Sequence, residues 1–129
     1  MNRLNISSGA PWESTAGYSR AVRIGNIVEV AGTTAMRDDL VIAEGDAYGQ
    51  ATYVLSVIRA ALQQASASME DVIRTRIYVT SSLVVDDVLR AHGEVFGQIR
   101  PAATLVVVSA LIDPRLLVEI EATAIIQQQ

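Results

Sequence analysis

Apolar and polar positions along the chain change period several times, and each change marks an element. In "YSRAVRIGNIVEVAGTT", Val22 and Ile24 alternate with Ala21, Arg23 and Gly25, Gly25-Asn26 supplies a turn, and Ile27, Val28 and Val30 resume a strand. The segment therefore reads as a β-hairpin. The polar, glycine-containing "MRDDLVIAEGD" suits a loop. Residues 46 to 64 put Ala47, Ala51, Val54, Leu55, Ile58, Ala61 and Leu62 at helical spacing, with Asp46 placed to cap the N-terminus. In "SASMEDVIRTRIYVT" the period becomes two, with Val72, Arg74, Arg76, Tyr78 and Thr80 opposite Ile73, Thr75, Ile77 and Val79, which predicts a strand. "SLVVDDVLRAHGEVFG" is helical again through Leu83, Val84, Val88, Leu89, Ala91, Val95 and Phe96, and Gly97 is placed to end it. Two strand-like runs, 102 to 111 and 116 to 126, flank the turn "IDPR".

The order is ββ-α-β-α-ββ, with a further short strand at "RLNIS". It implies an α+β layer fold in which two helices cover one face of a single sheet. The other face also needs cover, because "TLVVVSAL" is apolar on both parities: Thr104, Val106 and Val108 on one, Leu105 and Val107 on the other. A homo-oligomer packing sheet against sheet would supply it. The terminal "QQQ" is predicted to be a frayed tail.

Composition then narrows the chemistry. The 129 residues fit one domain, 1–129, with no run of the roughly 18 to 20 apolar residues that a spanning helix needs and no apolar stretch of a signal peptide at the start. A soluble, cytoplasmic protein with no membrane partner is expected. The absence of cysteine excludes disulfides and thiolate nucleophiles, and a single histidine, His92, argues against a zinc site. All ten basic residues are arginine, so lysine Schiff-base chemistry is excluded. A net charge of −4 argues against nucleic acid as a partner. Gly45, Gly49, Gly93 and Gly97 form neither a P-loop nor a dinucleotide fingerprint, so no cofactor is expected, and no G-x-S-x-G elbow accompanies His92.

What chemistry remains is concentrated in "GQIRPAATLVVVSALIDPRLLVEIEATA". Glu119 and Glu121 share strand parity, away from Val118, Ile120 and Ala122. Periodicity alone leaves two readings, the polar face of an antiparallel strand or a catalytic carboxylate. Glu121 is read as structural, paired across a strand with Arg74 or Arg76. His92 reads as a packed helix histidine, and Trp12 either covers a pocket or anchors the N-terminal arm.

The layout, "GYSRAVRIGNIVEVAG" near the start and "RPAATLVVVSALIDPRLLVEIEA" near the end resemble the RidA/YjgF family, also labelled endoribonuclease L-PSP, over nearly the whole chain. The resemblance implies a chorismate-mutase-like fold with one mixed sheet, a homotrimer, and a small-molecule ligand in clefts between subunits. Archetypal members hydrolyse reactive enamines and imines to 2-keto acids and ammonia. In them an arginine of a "PARS/T" motif holds the substrate carboxylate, a glutamate of "EIEA" handles water, and a tyrosine of "GPY" lines the pocket. By resemblance Glu119 is the catalytic candidate and Tyr18, in "AGYS", lines the pocket. Ala31 and Gly32 close the hairpin beside it, and backbone groups near Thr104 and Leu105 orient water or the reacting nitrogen.

The departures matter more. Ala103 stands where the family's arginine does, and alanine has no guanidinium fork to grip a carboxylate. Ala31 precedes Gly32 where a serine is usual, and Leu89 or Arg90 falls at a polar position of the second helix. Arg100, held extended by Pro101, either rims the cleft as a displaced anion site or is a surface arginine. Two functions follow: imine or enamine hydrolysis with a less carboxylate-dependent substrate, or noncatalytic binding of a small ligand or protein client on the same scaffold.

Overall fold

The computed structural model describes residues 2–127, so the last two glutamines of "QQQ" lie outside the described residues. The strands are β1 (Arg3–Ile6), β2 (Ala21–Ile24), β3 (Ile27–Thr34), β4 (Met36–Arg37), β5 (Leu40–Val41), β6 (Val72–Val79), β7 (Ala102–Val107) and β8 (Val118–Ile125). Three α-helices join them, α1 (Pro11–Ala16), α2 (Ala47–Gln64) and α3 (Val85–Phe96). Six strands form one mixed sheet in the order β1-β2-β3-β8-β6-β7, with only β6 and β7 parallel. The α+β architecture is the one expected.

Most local expectations hold. The β2–β3 hairpin turns at Gly25-Asn26, where Gly25 takes a φ of 60° that costs glycine nothing. Asp46 caps α2, its carboxylate accepting from the Gly49 N–H at 2.9 Å. His92 is half-buried, with Nε2 2.9 Å from Thr75 Oγ1 and its ring 4.7 Å from that of Phe96. Burial lowers the His92 pKa, which favours the neutral ring.

Three features differ from the reading, and the strand order supplies a fourth that the sequence left open. Helix α1 was not expected; Pro11 opens it and Gly17, at φ 80°, closes it, and six residues are too few for a periodic signal. The 36–45 loop contains the small β4–β5 ladder. Arg100 is not extended but left-handed, at φ 58°, because its N–H turns back to the Phe96 carbonyl at 2.8 Å and closes the end of α3. Finally, β7 and β8 are not neighbours. β7 runs parallel to β6 by way of α3, as a crossover must, and β8 returns to the gap between β3 and β6.

Helices α2 and α3 lie on one face. Val28, Val30, Ile77, Val79, Val118, Ile120 and Ala122 from the sheet pack with Val54, Leu55, Ile58 and Leu62 of α2 and Val88, Ala91 and Phe96 of α3. Full burial of each large aliphatic side chain contributes about 1.5–3 kcal/mol before entropy is counted. The opposite face is uncovered within one chain. It carries a cross-strand row of Ile24, Ile27 and Ile125, in register and 39%, 52% and 41% exposed. At the sheet edge, Val106 and Val107 of β7 are also exposed.

Candidate functional site

The alternation of β8 decides which side chains reach the open face. Val118, Ile120, Ala122 and Ala124 are buried, which leaves Glu119, Glu121 and Thr123 on the other side. The two glutamates then diverge. Glu121 is fully engaged: the Tyr78 hydroxyl donates to it at 2.5 Å and Arg76 lies 3.5 Å away. That hydrogen bond, with burial and the Glu121 charge, raises the Tyr78 pKa and keeps the phenol protonated. Glu121 is therefore structural, and Arg76 is its arginine.

Glu119 has no such partner. It is half-buried, and among the described residues no hydrogen bond supports its carboxylate. Burial raises its pKa, repulsion from Glu121 adds to the rise, and Arg20 offsets part of it. Its carboxyl lies directly against Gly32, where a Cβ would collide with Oε2 and sit 3.1 Å from Cδ. Only glycine admits this approach. Gly32 lies within an irregularity of the β3–β8 ladder between Val30 and Thr33, beside Ala31. An unpaired carboxyl with a raised pKa, fixed on a central strand, has the features of a general base.

Arg20, which no motif singled out, completes this corner. Its Nη2 donates to the Gly32 carbonyl at 2.6 Å, and its own carbonyl accepts from the Ala31 N–H. Burial lowers the Arg20 pKa, while Tyr18, Glu13 and Glu119 act in the other direction. Its Nε is buried without an acceptor among the described residues. Glu13 of α1 accepts from Ser7 Oγ at 2.8 Å, from the Ser8 N–H at 3.0 Å and from Ser8 Oγ, and so ties the 7–10 segment to the helix. Burial opposes its charge, but the serine hydrogen bonds outweigh burial and hold its pKa low.

The remaining candidates divide into two groups. Tyr18 and Ala31 line an open-face cavity of about 750 Å³ together with Arg76 and Glu121; the cavity stops short of Glu119, two residues along β8. Ala103, Thr104 and Leu105 lie on β7, two strands from β8. Thr104 is on the open face, where it accepts from Arg74 at 2.6 Å, but Ala103 and Leu105 share the parity of Thr75 and Ile77, on the helix side. One chain thus does not bring Ala103 together with Glu119. Arg100 is exposed in the loop before β7, away from Glu119, and Trp12 is 64% exposed and lines neither this cavity nor the smaller one beneath β1. Among the described residues no cluster of histidine, aspartate and glutamate is placed to hold a metal, and no helix is long and apolar enough to cross a membrane.

Known proteins show the same fold. The family model for Endoribonuclease L-PSP matches residues 8–126. The protein SCO2049 of Streptomyces coelicolor is 44% identical over 119 residues, 92% of this chain and 89% of its own. A RutC family protein of Pyrococcus horikoshii, PH0854, is 35% identical over 126 residues, 96% of this chain and 98% of its own. The crystal structure of Rv2704, a YjgF/YER057c/UK114 family member from Mycobacterium tuberculosis, superposes with a TM-score of 0.88 at 49% identity, covering 97% of this chain and 100% of that one.

Proposed function

Because the chain belongs to the RidA/YjgF family, with the endoribonuclease L-PSP model spanning residues 8–126, we propose that it hydrolyses a small reactive imine or enamine. The observation that carries the reading is the Glu119 carboxyl, unpartnered, half-buried and held against Gly32 with a raised pKa. As base, Glu119 takes a proton from water while the water oxygen bonds to the imine carbon and the C=N π pair moves to nitrogen. The protonated Glu119 returns that proton to the nitrogen, which completes the carbinolamine; the carboxylate then takes the hydroxyl proton and passes it to the nitrogen as the C=O bond forms and the C–N bond breaks, and a carbonyl compound and ammonia leave.

The site is shared between copies in this proposal. Ala103 and Leu105 face the helix side of an edge strand while Glu119 faces the open side, so the β7 edge of one subunit meets the Glu119 corner of the next. The exposed isoleucine row gives the open face its own reason to associate. In sedimentation the protein is expected as a multiple of 13.8 kDa, and Ile27→Asp, which places a charge in the middle of that row, is expected to shift it toward the monomer. A wild-type protein that sediments as a monomer at micromolar concentration would remove the shared cleft.

Activity is tested by ammonia release from 2-aminoacrylate and 2-iminobutanoate generated in place. Release no faster than the spontaneous rate sinks hydrolysis of amino-acid-derived imines. A second reading, ligand or client binding without turnover, is favoured by Ala103, which leaves the site without the fork that grips a substrate carboxylate. Ala103→Arg separates the two. If restoring the fork brings activity that the wild type lacks, the remaining machinery is intact and the wild type takes a different substrate; continued inactivity of a folded oligomer favours binding. An RNA substrate is disfavoured by the net charge of −4.

A further inference from the structure

The strongest unassigned group is Arg20, a half-buried guanidinium at the start of β2, far in sequence from both residues it serves. Its Nη2 holds the Gly32 carbonyl at 2.6 Å, on the residue whose missing side chain makes room for the Glu119 carboxyl. Its backbone carbonyl holds the Ala31 N–H at 3.0 Å, so both residues of the ladder irregularity are tied to one arginine. A structural arginine of this kind usually spends its N–H groups on acceptors, yet the Arg20 Nε is buried with none among the described residues. The site tolerates that cost beside the β8 carboxyl for which no hydrogen-bond partner is found among the described residues.

We infer that Arg20 is a positioning residue for Glu119: it fixes the Ala31–Gly32 irregularity against which the Glu119 carboxyl rests and supplies the positive charge that faces it. The inference rests on the reading of Glu119 as the base. The charged and titratable groups that face Glu119 are Glu121 on its own strand, Tyr78 on β6 and Arg20; Arg76 faces Glu121 and Tyr78, and Tyr18 and Glu13, from the segment before β2, face Arg20. Tyr78 and Arg76 are already committed to Glu121. Arg20 is therefore the cation left to stabilise the ionised Glu119 at working pH. Arginine is suited to both tasks at once, because its fork bonds a backbone oxygen with one arm and keeps its charge even when half-buried.

The test reads Glu119 directly. The side-chain carboxyl of Glu119 is titrated by carbon NMR, assigned with Glu119→Gln, in the wild type, Arg20→Lys and Arg20→Met. Arg20→Met is expected to move the Glu119 midpoint to higher pH, since ionisation loses the favourable charge of Arg20 while burial and Glu121 remain. The acid limb of any pH–rate profile should move by the same amount. Arg20→Lys should restore most of the midpoint but not the Gly32 amide and α-proton shifts, because its donor stops one atom short of the position that Nη2 holds. If Arg20→Met does not fold, Arg20→Gln, which removes the charge but keeps a polar side chain, gives the same midpoint shift. A midpoint unchanged in the uncharged variants overturns the inference, whether or not the protein is active. A shifted midpoint in a protein that releases no ammonia leaves Arg20 assigned and removes only the catalytic reading.

Discussion

Glu119→Gln is expected to lower imine hydrolysis about 10²- to 10⁴-fold, the span that a positioned general base contributes, and to raise the melting temperature in the same preparation. The two effects share one cause. Glutamine matches the shape of glutamate and still fits against Gly32, so the site stays filled, but it cannot accept a proton from water. The stability sign follows from the direction of the pKa. The folded protein raises the Glu119 pKa above its ordinary value, through burial and Glu121. Stability from that carboxyl is thus fully present below the ordinary glutamate range and is lost as pH rises through the raised folded value. At neutral pH the wild type carries that penalty and Glu119→Gln does not. Melting curves should therefore converge at acid pH and separate, with the variant higher, toward neutrality. A variant that keeps more than a tenth of wild-type turnover would exclude Glu119 as the base, and one that melts lower at pH 7 would mean that the carboxylate has a partner in solution. Such opposition between stability and activity is expected where a fold holds a charged group in an unfavourable setting for chemistry.

The sequence carried the parts of this site that depend on local period, and missed those that depend on distant chain segments. Strict alternation in "VEIEATA" put Glu119 and Glu121 on one face and predicted that one of them would pair with a β6 arginine, as Glu121 does with Arg76. Alternation could not say which strands β8 would separate. Runs 102–111 and 116–126 lie around one turn, which leaves their pairing open; the α3 crossover commits β7 to a parallel place beside β6, and β8 takes the position between β3 and β6. Arg100 escaped because closing α3 outweighed the influence of Pro101 on the residue before it. Arg20 escaped because nothing at residues 18 to 22 signals a bond to residue 32 or a charge at residue 119. Its only local mark is a polar side chain immediately before a strand whose first residue, Ala21, is buried.

Gln50→Leu is expected to cost about 2–5 kcal/mol, because it takes the side-chain partner from two part-buried backbone groups, the Leu117 N–H and the Arg115 carbonyl. Gln50 is fully buried in the first turn of α2. Its Oε1 accepts from the Leu117 N–H at 2.8 Å and its Nε2 donates to the Arg115 carbonyl at 3.0 Å, so one side chain serves the backbone just before β8. Leucine fills a similar volume, but its apolar side chain replaces neither hydrogen bond. Against a total stability of about 5–15 kcal/mol, a loss near 3 lowers Tm by roughly 10 °C in a domain of this size. The consequence reaches the site, since Glu119 is two residues beyond Leu117 and its contact with Gly32 depends on where β8 begins. Exchange of the Leu117 amide should accelerate in Gln50→Leu by a larger factor than exchange in β6, and turnover should fall while the isolated Gln50→Leu protein remains folded at 25 °C. A loss below about 0.5 kcal/mol with the Leu117 amide still protected would show that the segment before β8 is held by its own turn at Asp113, which bonds the Arg115 N–H at 2.9 Å, and that α2 does not set the position of Glu119.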